Sequence, residues 1–243
     1  MPVDFSKVPS GAVDLEFLLT FPQANSNNIE PQPQIYFSLS TNPFADGSAY
    51  LESGNIKLCC FINGPLDMKQ DGKIVTTFKF APFLRWLQPE QKTSVEKRLG
   101  RLLLSAIESS VMLHCFPRGK YEVAILILDV ESGTIDEAEI GRCLAAAVTC
   151  TTLALVDANV QMYDMPIGIN MQLSTVAEKD HADGYLCCSV LPRLGQFAMI
   201  HSDNTRLSDI AQLRTALDHA LKQSSEILQT IKQSLSKRIS EQK

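Results

Sequence analysis

The chain lacks most of the signatures on which small-molecule chemistry is usually built. It has no glycine-rich loop of the P-loop or dinucleotide-binding type. Its four histidines, His114, His181, His201 and His219, are scattered over different segments, which gives a nucleophile–His–acid arrangement no support. No Cys-x-x-Cys occurs, and His114 beside Cys115 has no companions at zinc-ligand spacing, so neither a metal nor a cofactor is expected. Positive charge is short as well. Lys and Arg number 22 against 27 Asp and Glu, a net charge of −5. The chain as a whole therefore does not attract nucleic acid, and any RNA contact needs a local basic patch or a basic partner. The opening residues MPVDFSKVPSG carry no basic-then-apolar signal, and no apolar run reads as long enough to span a bilayer. No membrane contact is expected.

What is present is an ordinary globular mixture, 45% hydrophobic and 20% charged, over 243 residues, enough for one substantial core. Seven cysteines make an odd number, with adjacent pairs Cys59-Cys60 and Cys187-Cys188 in strand-like runs. They read as buried reduced thiols of a soluble intracellular protein. Residues 1–34 are rich in Pro, Asn and Gln and weak in periodicity, an N-terminal arm. Within it, Leu15 to Phe21 is apolar enough to dock as an added strand. Residues 35–243 read as a single domain.

Strands are expected over Ile35–Leu39, Ser48–Glu52, Lys57–Ile62 and Ile74–Phe80, separated by turn signals such as Ser53-Gly54-Asn55 and Asp71-Gly72. They read as an antiparallel meander. A helix follows from Pro89 to about Met112, with Val95, Leu99, Leu102, Leu103, Ala106 and Val111 inward. Tyr121–Asp129 is apolar on both faces, as a central strand covered on both sides should be. The run Cys143–Val156 is small and apolar all round, the mark of a helix buried between layers. Thr134 with Glu137 suggests a capping box and a start near Ile135, and Asn159 suggests its stop. The free N–H groups at such a start make a natural anion site. Strands over Met165–Leu173, Tyr185–Leu191 and Gln196–His201 and a long amphipathic helix over Leu207–Ile239 complete an α+β domain.

The motif order is similar to that of the RNase PH family. It runs Gly47-Ser-Ala-Tyr-Leu-Glu52, Lys57 to Gly64-Pro65, Ala81-Pro82-Phe83, Phe116-Pro117-Arg118 and Ala154-Leu-Val-Asp-Ala158. The resemblance covers roughly Ile35 to Ile231. The run Ala154 to Asp164 resembles a ring subunit of the eukaryotic RNA exosome. The resemblance implies an RNase PH-like fold (ribosomal protein S5 domain 2-like), mixed sheets covered by helices. It also implies a place as one half of a heterodimer within a six-membered ring of RNase PH-like subunits. S1/KH-type proteins would cap the ring, RNA would pass through its channel, and the location would be the nucleus, nucleolus included, and the cytoplasm.

Active members of that family cleave RNA 3′→5′ with inorganic phosphate, using cationic side chains for the dianion and carboxylates for metal or acid chemistry. Their Gly-Thr-Arg turn falls here on Gly141, Arg142 and Cys143, so the arginine is replaced by a thiol. A second active-site arginine falls near Gln91. Of the carboxylate pair, one position is Ser174 and the other keeps its acid as Asp180. Independently of that match, the entry to the helix carries Asp129, Glu131, Asp136, Glu137 and Glu139 with no Lys or Arg before Arg142. Carboxylates in the first turn satisfy the helix dipole themselves and repel phosphate. The expectation is a non-catalytic, structural ring subunit that supports RNA processing and turnover by associated nucleases. An active phosphorolytic exoribonuclease and a free-standing RNA-binding module are the alternatives. Arg85, Lys92, Lys97, Arg98 and Arg101 gather near Trp86, against Glu90 and Glu96. They are candidates for meeting an RNA backbone. The competing reading is a solvated helix face with Trp86 packed inside.

Overall fold

The computed structural model describes residues 35–67, 72–86, 89–130, 134–135, 137–173, 184–203 and 210–241. The expected arm, Glu131, Asp136, Ser174 and Asp180 lie outside these. Gln34–Lys243 form one compact unit.

Four strands open it: β1 (Ile35–Leu39), β2 (Gly47–Ser53), β3 (Ile56–Asp67) and β4 (Lys73–Phe80). Gly54 closes the β2–β3 hairpin at φ +58°, a backbone conformation that a two-residue turn demands and glycine accepts without strain. The short β5 (Arg85–Trp86) precedes helix α1 (Lys92–Glu108), which a 3₁₀ turn at Pro89–Gln91 introduces. After it come β6 (Gly119–Asp129), the two-residue β7 (Thr134–Ile135) and helix α2 (Glu137–Asp157). Strands β8 (Ile167–Leu173), β9 (Gly184–Leu191) and β10 (Gln196–Asp203) and helix α3 (Ile210–Glu241) end the described chain.

The expected meander does not extend to β4. The large sheet has the order β1-β2-β3-β6-β4, with β6 inserted between β3 and β4. Strand β6 is antiparallel to β3 and parallel to β4. The reason is α1, a crossover that carries the chain back so that β6 runs alongside β4 in the same sense. Strand β6 is central, as its composition suggests, but only alternate residues are fully buried; its other face is half-buried rather than covered. A second sheet has the order β10-β9-β8, and β5 pairs with β7 in parallel.

Helix α2 is packed against strands of both larger sheets. Its Ala, Cys and Thr content follows from how close those strands come. A Cβ on Gly47 would meet the Ala154 carbonyl oxygen at 2.5 Å, and one on Gly168 would meet the Ala145 oxygen at 2.0 Å. The buried hydroxyls of Thr151 and Thr152 donate to the Ala147 and Val148 carbonyls within the helix. Thr149 Oγ1 accepts from the Gly168 N–H at 3.1 Å, tying helix to sheet. Asn159, at φ +54°, ends the helix as expected. Val160 N–H donates to Leu155 and Asn159 N–H to Val156, the bond pair of a Schellman motif. The start differs from expectation. Thr134 is in β7, and the helix begins at Glu137. By length and composition Glu139–Asp157 would span a bilayer, which corrects the reading of the bare sequence, but 83% of it is buried within the fold.

Candidate functional site

The N-terminal end of α2, where the resemblance places phosphate chemistry, is internally engaged. Glu139 has a side chain only 3% exposed, and its Oε1 lies 2.8 Å from Nη2 of Arg142, three residues on and on the same helix face. The guanidinium is thus held by a carboxylate of its own helix. Cys143, which the sequence resemblance sets at the family's arginine, is fully buried in the core. Gly141 backs onto Asn170 of β8, whose Oδ1 would sit 2.8 Å from an added Cβ. That oxygen is buried without a hydrogen-bond partner. Gly141 and Asn170 share a water-sized pocket with Leu99, Ile140, Leu144, Tyr185, Cys187 and His201.

The acids at the helix entry behave differently from the sequence expectation. Glu139 neither faces solvent nor lacks a cation, because Arg142 pairs with it. Asp129 lies 3.7 Å from Lys57 and accepts from the Val130 N–H. The side chains of Glu131, Asp136 and Glu137 are outside the described residues. Repulsion by uncompensated acids is therefore not what the geometry presents; the described acids are paired. Gln91 is exposed at the end of the 3₁₀ turn and makes no capping bond to α1.

The five basic residues are not brought together as one face. Lys97 and Arg101, one turn apart, are exposed on the solvent side of α1, while Lys92 and Arg98 are half-buried. Glu96 does not oppose them. It is buried, accepting from Lys79 Nζ at 2.8 Å and from the Phe80 N–H at 3.1 Å, so it bolts α1 to β4. Trp86 is a packing residue: its ring meets Phe80 edge-on at 4.8 Å, and its Nε1 is buried. Arg85 is exposed beside it. The aromatic that does face solvent here is Phe83, 72% exposed, which sequence reading had taken only as part of a motif. Its signal was the turn proline before it and the arginine two residues after it.

A five-stranded mixed sheet and a three-stranded sheet packed on a shared central helix, with a glycine–arginine pair in that helix's second turn, define an RNase PH-like fold. Residues 34–161, more than half of the chain, match the 3′ exoribonuclease family, domain 1, and the chain belongs to that family. Within it the chain is similar to the exosome complex component MTR3 of Mus musculus, 32% identical over 185 residues. That match covers 63% of this chain, which spans about 64% of the relative's length. Among solved structures, rice (Oryza sativa) Rrp46 superposes with a TM-score of 0.66 at 16% identity, covering 86% of this chain and 98% of that one. The Archaeoglobus fulgidus exosome with RNA bound to its active site gives 0.62 at 13% identity, over 82% and 88%. Both show the same fold.

Proposed function

We propose that this chain is a non-catalytic structural subunit of an exosome ring. It would be half of a heterodimer within six RNase PH-like subunits, beneath S1/KH-type caps, with RNA passing through the assembled channel to associated nucleases. The chain would work in the nucleus, nucleolus included, and the cytoplasm. Residues 1–34 are the arm and residues 35–243 the single ring-forming domain. The observation that supports the reading most is the Glu139–Arg142 pair beside the buried Cys143. A phosphate dianion bound at α2 would have to compete with the buried Glu139 carboxylate for Arg142, and breaking a buried ion pair costs roughly 3–5 kcal/mol. The likeness to MTR3 adds support from a different direction.

The experiment is to purify the chain alone and with its co-purifying partners, and to follow a 5′-labelled RNA with and without inorganic phosphate. No phosphate-dependent shortening is expected, and the mass of the assembly should fit a ring. Phosphorolysis by the isolated chain would overturn the proposal. The family's own description favours a second reading, an active phosphate-dependent 3′→5′ exoribonuclease. Under it, Asp180→Ala abolishes RNA shortening; under the structural reading, that substitution leaves RNA shortening unchanged at its background level.

A further inference from the structure

We infer that the turn Ala81–Leu84 is a base-stacking contact for single-stranded RNA, with Phe83 as the platform and Arg85 as its phosphate-facing cation. The inference rests on the reading of the chain as an RNA-handling subunit and deepens it by naming a contact.

The turn is held from both sides. Ala81 N–H donates to the Ile127 carbonyl at 2.9 Å, and Leu84 N–H returns to the Ala81 carbonyl at 3.2 Å. Ala81 and Leu84 are buried, at 1% and 7% exposure, so they anchor the two ends in the core. Pro82 occupies the second turn position, where its ring presets the backbone. Phe83 is what this fixed turn presents, at 72% exposure. Next along the chain, β5 is clamped by its pairing with β7, which fixes the backbone at Arg85, whose side chain is exposed. A rigid aromatic loses little conformational freedom on binding, and every base offers it a π-face.

Charge decides the class of partner. Of the exposed aromatics among the described residues, Tyr36, Phe44, Phe83 and Tyr163, only Phe83 has an Arg or Lys within two positions. Lys92, at the start of α1, adds a half-buried cation to the same stretch, and Glu90 is the exposed acid that opposes them. An aromatic two positions from an arginine fits a charged backbone carrying stackable bases; along the chain, the other three exposed aromatics have no cation so near.

The test uses the full chain and a fluorescently labelled decaadenylate, with an abasic decamer of the same charge, read by anisotropy across a salt series. Decaadenylate should bind more tightly than the abasic decamer. Phe83→Ala and Phe83→Leu should each remove that difference, weakening decaadenylate by about five-fold or more, while Phe83→Tyr keeps it. Arg85→Ala should lower the salt slope by about 0.7 and leave the preference for bases intact. Equal binding of the two decamers, or decaadenylate binding unchanged by Phe83→Ala, would overturn the inference. So would loss of partner subunits from Phe83→Ala with RNA binding unchanged, which would make the turn a protein contact. Failure of the ring reading shows separately, as phosphorolysis or as absence of a ring-sized assembly with the wild-type chain.

Discussion

Asp157 shows how one side chain positions several others. It closes α2 at the end where the helix dipole disfavours a negative charge. Its carboxylate nevertheless accepts from the Ser40 hydroxyl at 2.7 Å and from the Ser48 N–H at 2.9 Å, with the Ser40 N–H at 3.2 Å. These bonds hold Ser40 at φ +53° and secure the loop between β1 and β2. Asp157→Ala should lower stability by about 1–3 kcal/mol, since it strands backbone donors as well as removing bonds. Urea unfolding measures this, and a loss under about 0.5 kcal/mol would show that water replaces the carboxylate. The thiols give a second prediction. Burial pushes Cys60 from its ordinary 9.0 up to about 12 and Cys188 up to about 11. Cys150, also buried, is raised as well. An unfolded thiol ionises before these do, so their contribution is intact below about pH 9 and is lost as pH rises towards 11–12. The melting temperature should fall across that window. At pH 8 a thiol reagent should modify exposed Cys115 first and half-buried Cys59 more slowly, with the buried cysteines reacting only in denaturant.

At the scale of elements, the contact between α2 and β8 depends on the absence of a side chain. Gly168→Ala would drive a Cβ against the Ala145 carbonyl, backbone on which there is no rotamer to relax. A cost of about 3 kcal/mol, the upper end of overpacking, is expected in denaturant unfolding. A neutral result would mean that β8 and α2 slide apart freely. The sequence carried much at this scale. The strands of the first half lie where turn residues bracket them, and the Asn159 stop is legible because few other residues accept a left-handed backbone. Strand order was not legible. Whether β4 pairs with β3 or with β6 depends on where α1 returns the chain, and no local pattern encodes that return. The start of α2 was misread for a similar reason, since pairing with β5 draws Thr134 into a strand and away from a cap. At the candidate site, the Glu139–Arg142 spacing was visible in the sequence, but the burial that gives the pair its force was not. The packed reading of Trp86 holds, whereas the exposure of Phe83 was not legible, because the Ala81–Leu84 turn decides it and not residue type.

For the molecule as a whole, the proposed absence of phosphate chemistry can be tested as the effect of one residue or of the packing around it. Installing the residues that the resemblance implies, Arg142→Thr with Cys143→Arg, separates the two. Cys143 is fully enclosed in the cluster that also holds Ala147 and Leu144, so an arginine there would bury a guanidinium in an apolar surround. The same change breaks the ion pair that Arg142 makes with Glu139, whose side chain is 3% exposed. Breaking a buried ion pair costs roughly 3–5 kcal/mol, and that is before the volume of the new side chain is counted. Against a typical folding stability of about 5–15 kcal/mol, the doubly substituted chain should melt far below the wild type or fail to accumulate as folded protein. It should acquire no phosphate-dependent cleavage of RNA. Adding Glu139→Ala removes the buried acid from the broken pair and should recover part of the melting temperature, still without activity. If instead the double variant were as stable as the wild type and shortened RNA with phosphate, α2 would be an intact phosphate site altered at one residue, and the structural reading of this subunit would fall.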